Sequence, residues 1–143
     1  MKFADLHLHT VYSDGTYTPS ALVSSAKRAG LSAIAVVDHD TVDGITPVME
    51  LAEKAGIEVL PGIELSAEYE DVEVHILGYL MDPGRRELIE RLDFLKKNRI
   101  ERIYKIIEKL KGEGIDLDPK TVFDIAGLGT VGRLHVARAL VKD

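Results

Sequence analysis

The chain has 143 residues, with 24 acidic against 18 basic side chains, a formal net charge of −6 and no cysteine. That length suits one domain with an ordinary apolar core, and the missing cysteines exclude disulfides and thiolate metal sites. The acidic balance argues against broad binding to duplex nucleic acid, no apolar run reaches the roughly 20 residues that span a bilayer, and the polar Met1–Thr10 segment lacks a signal-peptide core, so a cytoplasmic location is expected.

In chain order, Lys2–His9 reads as a strand. Thr18 is a helix N-cap, Pro19 fits the first helical position, and Ala21–Ala29 carries a helix to Gly30 as its stop. Leu31–Val37 is an apolar, β-branched run of the kind found in buried parallel strands. The unit then recurs: Thr46 and Pro47 open a second helix, Gly56 closes it, and Ile57–Leu60 begins a third strand. Alternation of this kind predicts parallel strands joined by right-handed crossovers. Val72–Leu80 is a fourth strand, Arg85–Lys111 a long helix, and Pro119–Ile125 and Val131–Val141 two shorter ones.

Chemistry-bearing residues gather at the predicted strand ends. Alternate side chains of a strand share a face, so Asp5, His7 and His9 point the same way; a His-x-His pair can grip one metal, with Asp5 orienting a ligand histidine. Asp14 follows in the turn Ser13-Asp14-Gly15. Asp38-His39-Asp40 stands just after the second strand, with Asp38 and Asp40 as supporting acids; Glu64 ends the third, and His75 lies in the fourth. In a barrel of parallel strands those ends converge on the active site. A His-x-His alone is more often a surface or core pair, and Asp38 or Asp40 alone could cap a helix. Four of the chain's five histidines at one rim favour metal binding.

The successive segments Asp5-Leu6-His7-Leu8-His9-Thr10, Ser13-Asp14-Gly15, Asp38-His39-Asp40-Thr41, Gly62-Ile63-Glu64 and His75 resemble the motifs of the polymerase and histidinol phosphatase (PHP) superfamily, and within it the stand-alone phosphoesterases. The resemblance implies an α/β fold: the N-terminal portion of a distorted (β/α)7 barrel over residues 1–82, with parallel strands and crossover helices, followed by a mainly helical, insertion-like segment over 83–143. It also implies two or three divalent ions (manganese, zinc or iron). His7, His9 and Glu64 would hold one, Glu64 and His75 would share in the second, and Asp14 and His39 would hold the third. Three departures stand out. Val37 replaces the usual Thr before Asp-His, removing a supporting hydroxyl. Leu134 replaces Pro in Val131–Leu140, a segment similar to a helix of the subgroup that contains His135. Complete relatives are about twice as long and carry a further His and an Asp-x-His, so six of nine expected ligands are present, and the chain is expected to be truncated and inactive by itself.

The implied reaction is hydrolysis of phosphate esters of nucleotides or short oligonucleotides by a metal-activated water. The alternatives are a structural PHP module supporting a partner, or an amidohydrolase-type metal hydrolase. No Ser or Cys nucleophile elbow and no phosphate-binding glycine loop suggests a covalent route. On a helical projection of Arg85–Lys111, Leu88, Leu92, Leu95, Ile103, Ile106 and Leu110 form one stripe with Arg99 at its centre and Arg102 at its flank. A guanidinium there needs an anion. Two readings stand: an internal ion pair, or a clamp on a substrate phosphate, with Arg102, Arg133 and His135 as further substrate contacts.

Overall fold

The computed structural model describes residues 2–142, and its elements follow the expected order. They are β1 (Phe3–Leu8), α1 (Pro19–Arg28), β2 (Leu31–Val36), α2 (Ile45–Ala55), β3 (Glu58–Tyr69), β4 (Val72–Tyr79), α3 (Arg86–Gly112), α4 (Pro119–Ala126) and α5 (Arg133–Lys142). The local signals act as anticipated. The Thr18 hydroxyl accepts from the Ala21 N–H at the start of α1, and Gly56 takes the left-handed conformation that ends α2. Helix α2 starts one residue before Thr46, at Ile45, with Gly44 as its N-cap, where a Cβ would lie 2.5 Å from Asp38 Oδ2 and 2.9 Å from Thr10 Oγ1. No helix among the described residues is long and apolar enough to cross a membrane.

The sheet runs β1-β2-β3-β4, with β1, β2 and β3 parallel and crossed over by α1 and α2. β2 is flanked on both sides, which explains its unbroken apolar run. The fourth strand departs from the parallel expectation: β4 runs antiparallel to β3, paired from Gly62↔Tyr79 to Tyr69↔Val72. The cause is the connection. Only Glu70 and Asp71 separate the strands, far too few for a crossover, and both have positive φ (49° and 62°), as a type I′ hairpin turn requires. Glu-Asp is a poor sequence signal for that turn, which favours Asn-Gly, and β3 continues well past Leu60, to Tyr69, paired along this stretch with β4. The Tyr79 hydroxyl donates to the Leu6 carbonyl on β1 at 2.8 Å, drawing the curled sheet's two outer strands together.

Buried residues form two clusters. One packs α1 and α2 on the sheet through Leu22, Val23, Ile34, Val36, Ile45 and Val48. The other joins α3, α4 and α5 through Ile103, Ile107, Leu117, Val122, Val131 and Val136. Each fully buried Ile, Leu or Val contributes about 1.5–3 kcal/mol, so both halves have substantial cores. On α3, Leu92 and Ile103 of the projected stripe are buried and Leu88, Leu95, Ile106 and Leu110 half-buried, with Arg99 in the same line; Ile107, outside the projection, is buried as well.

Candidate metal centre

Four consecutive strand regions deliver the donors. His7 lies on β1, and His9 follows that strand on the same face. Asp14 is carried by the next loop, which Gly15 folds tightly back: a Cβ there would sit 2.6 Å from the His9 carbonyl carbon and oxygen. His39 extends the β2 register and bridges to Glu64 of β3, with reciprocal backbone bonds from Asp40 N–H to the Glu64 carbonyl and from Glu64 N–H to the Asp38 carbonyl. His75 comes from β4, whose antiparallel direction brings it to the same point from the opposite side.

Glu64 is the centre of this arrangement. Its Oε2 lies 2.9 Å from His7 Nε2, 3.0 Å from His9 Nε2 and 3.8 Å from His39 Nδ1, while Oε1 lies 2.7 Å from His75 Nδ1. Asp14 approaches His9 Nδ1 at 3.7 Å and His39 Nε2 at 3.5 Å. Three overlapping sets result, each with its donor atoms within 4.8 Å: His7, His9 and Glu64; His9, Asp14 and His39; His39, Glu64 and His75. His39 Nδ1 is buried without any hydrogen-bond partner. An unsatisfied buried ring nitrogen is costly, and a cation shared with Glu64 and His75 would satisfy it. The mixed imidazole and carboxylate donors therefore fit divalent cations such as zinc, manganese or iron.

The protonation states agree with that fit. Hydrogen bonding to His39 lowers the Asp14 pKa to about 2 in spite of burial. Burial alone would raise Glu64, but the hydrogen bond with His7 and the charge of His39 outweigh it, so its pKa falls below the usual carboxylate value. Burial, reinforced by neighbouring His39, lowers that of His9. At neutral pH these groups offer ionised carboxylates and a free imidazole, the forms that bind metal.

The supporting acids act differently from the expectation. Asp5 accepts from the backbone N–H of His7, not from a ring nitrogen. Asp38 is 1% exposed and touches no ligand histidine. Its oxygens accept from the Thr10 N–H, the Thr10 hydroxyl and the Ser13 hydroxyl at 2.6–2.7 Å, and Ser13 Oγ lies 3.4 Å from His9 Nδ1. Thr10 and Ser13 thus tie the loop after β1 to the end of β2. Asp40 pairs with Arg99 Nε at 2.6 Å and accepts from the Ser66 N–H.

The substrate-contact expectations divide. Arg99 forms an internal ion pair and also lines the cavity beside the donors: besides Asp40, its guanidinium donates to Ser66 Oγ and the Val131 carbonyl, and its side chain is 14% exposed. Arg102 and Arg133, together with Arg99, line a cavity of about 430 Å³ that is also lined by Asp14, His39 and His75. His135 must be corrected. It is 2% exposed, and its Nδ1 accepts from the Gly132 N–H at the start of α5, so no ligand reaches it. Burial, then the charge of Arg138, lowers its pKa below 6.5. The unfolded chain therefore binds the extra proton, and this contribution to stability is lost as pH falls from the unfolded value toward the lower folded one. Thermal melts in EDTA between pH 7 and 5 will fall less steeply for His135→Gln than for the unaltered chain.

Sequence reading missed several contributors. Glu73 bonds His75, Arg102 and Arg133. Its spacing of two from His75 on a strand was an available signal. Thr130 Oγ1 donates to the His39 carbonyl and Arg138 to the Asp14 carbonyl, so the helical half holds both metal loops. No local pattern marks those contacts, which join residues about a hundred positions apart.

A curled α/β half-barrel with histidines and acids at its strand ends is the architecture of the PHP domain, and the description of that family matches residues 5–126. The chain belongs to the PHP domain family. It is 36% identical over 143 residues to a 5'-3' exoribonuclease of Haemophilus influenzae, covering 99% of this chain and 51% of that protein. It is 32% identical to a 3',5'-nucleoside bisphosphate phosphatase of Chromobacterium violaceum, covering 100% and 50%. A crystal structure from Bifidobacterium adolescentis, assigned as a metal-dependent phosphoesterase, superposes with a TM-score of 0.90 at 35% identity, covering 99% and 50%. The chain spans about half the length of the curated relatives it matches.

Proposed function

We propose that this chain is the metal-binding half of a phosphoesterase that hydrolyses phosphate esters of nucleotides or short oligonucleotides. The observation that carries the reading is the cluster of four imidazoles on one buried carboxylate, opening into a cavity edged by arginines. Divalent cations bound there would lower the pKa of a coordinated water and polarise phosphoryl oxygens. Glu64 and the histidines fix the position of those cations. Asp14 remains ionised across the physiological range, and Arg102 and Arg133 supply positive charge for a substrate phosphate in that cavity. The relatives named as acting on RNA and on nucleoside bisphosphates support the substrate class. A purely structural module is disfavoured because none of His7, His9, Asp14, His39, Glu64 and His75 is replaced.

The test compares this 143-residue chain with the protein encoded by the whole reading frame. Both are assayed on p-nitrophenyl phosphate, a nucleoside 3',5'-bisphosphate and a 5'-phosphorylated dinucleotide. The longer protein is expected to turn over with manganese, zinc or iron and to be silenced by EDTA, with the 143-residue chain far slower. Activity undiminished by chelation would refute the metal-dependent reading.

A further inference from the structure

Glu73 and His75 alternate on β4 and share the face that carries the metal donors. The carboxylate of Glu73 is unusually placed. Its Oε2 receives Arg102 from α3 at 3.0 Å and Arg133 from the start of α5 at 2.8 Å, while Oε1 lies 3.2 Å from His75 Nε2. Two guanidinium groups from separate helices thus converge on one oxygen, as they would on an oxygen of a phosphate. The cavity wall at that point also contains Asp14, His39 and His75.

We propose that Glu73 is an internal anion occupying a phosphate seat formed by Arg102 and Arg133, and that a substrate phosphate dianion enters by displacing it. The proposal rests on the phosphoesterase reading for its ligand class, and makes Glu73 a specificity-determining residue. Charge supports the exchange: two guanidinium groups face one carboxylate, so the seat keeps an excess positive charge even when Glu73 fills it. Exposure supports it too. The side chains of Glu73, Arg102 and Arg133 are 30%, 40% and 62% exposed, and ion pairs so open to water are weak. Glu73 can therefore turn into solvent at small cost. A dianion offers more charge and more acceptor oxygens to two planar forks than a carboxylate does. Ligands without a phosphate dianion bring less charge and fewer acceptor oxygens, and so compete less well with Glu73 for the two arginines.

The experiment titrates inorganic phosphate by calorimetry into the EDTA-treated full chain at pH 8 and fixed ionic strength. Glu73→Gln keeps the shape but removes the competing charge, and it is expected to bind phosphate about threefold to tenfold more tightly. That gain should vanish in Glu73→Gln combined with Arg133→Gln. Equal or weaker binding by Glu73→Gln, or a gain that survives loss of Arg133, would overturn the proposal. Neither metal nor turnover enters this titration. Failure of the phosphoesterase assay and failure of the seat are therefore separate results.

Discussion

Glu64→Gln in the protein encoded by the whole reading frame will lose most of its bound metal and at least about a hundredfold in kcat. Residues that merely orient metal ligands already account for about 10–100-fold losses, and Glu64 faces His7, His9, His39 and His75 directly. The amide retains one acceptor oxygen but loses the charge that offsets the cations. The same geometry predicts a graded series. His9 belongs to two of the three donor sets, whereas His75 and His7 each belong to one. Elemental analysis should therefore find fewer ions per chain in His9→Ala than in His75→Ala or His7→Ala, with circular dichroism unchanged in all three. Full metal content in Glu64→Gln, or an inverted order among the histidines, would contradict the shared-carboxylate site.

Arg99→Met will destabilise the protein by about 3–5 kcal/mol, because it leaves a buried carboxylate without its counter-charge. At this chain length that corresponds to roughly 10–17 °C in Tm. The carboxylate is Asp40, whose side chain is 1% exposed and which joins the His39 loop to Ser66 and α3. Combining Arg99→Met with Asp40→Asn removes the stranded charge and should recover much of the loss. Arg99→Lys keeps the charge but cannot serve Asp40, Ser66 and the Val131 carbonyl together, so an intermediate Tm is expected with kcat/KM close to normal. A stable Arg99→Met variant whose kcat/KM collapses would instead establish Arg99 as a phosphate clamp.

Much of this protein is determined locally. Alternation along β1 puts His7 and His9 on one face. Thr18, Pro19 and Gly56 set helix ends by capping and backbone geometry, and the strand–helix rhythm up to Glu58 fixes parallel pairing. These features depend on residues a few positions apart, which is why they are legible from the chain alone. The direction of β4 was not, because the hairpin turn uses Glu70 and Asp71 in a conformation that other residues favour more strongly. The α3 stripe predicted that Arg99 needs an anion, but only packing supplied Asp40, 59 positions away, as one. The same holds for the hydroxyls of Thr10 and Ser13 that serve Asp38, for the burial of His135, and for the meeting of Arg102 and Arg133 on Glu73. Each joins side chains from separate elements, and which donor meets which acceptor is decided by how those elements pack, since many acids and bases of equal local suitability compete for every partner.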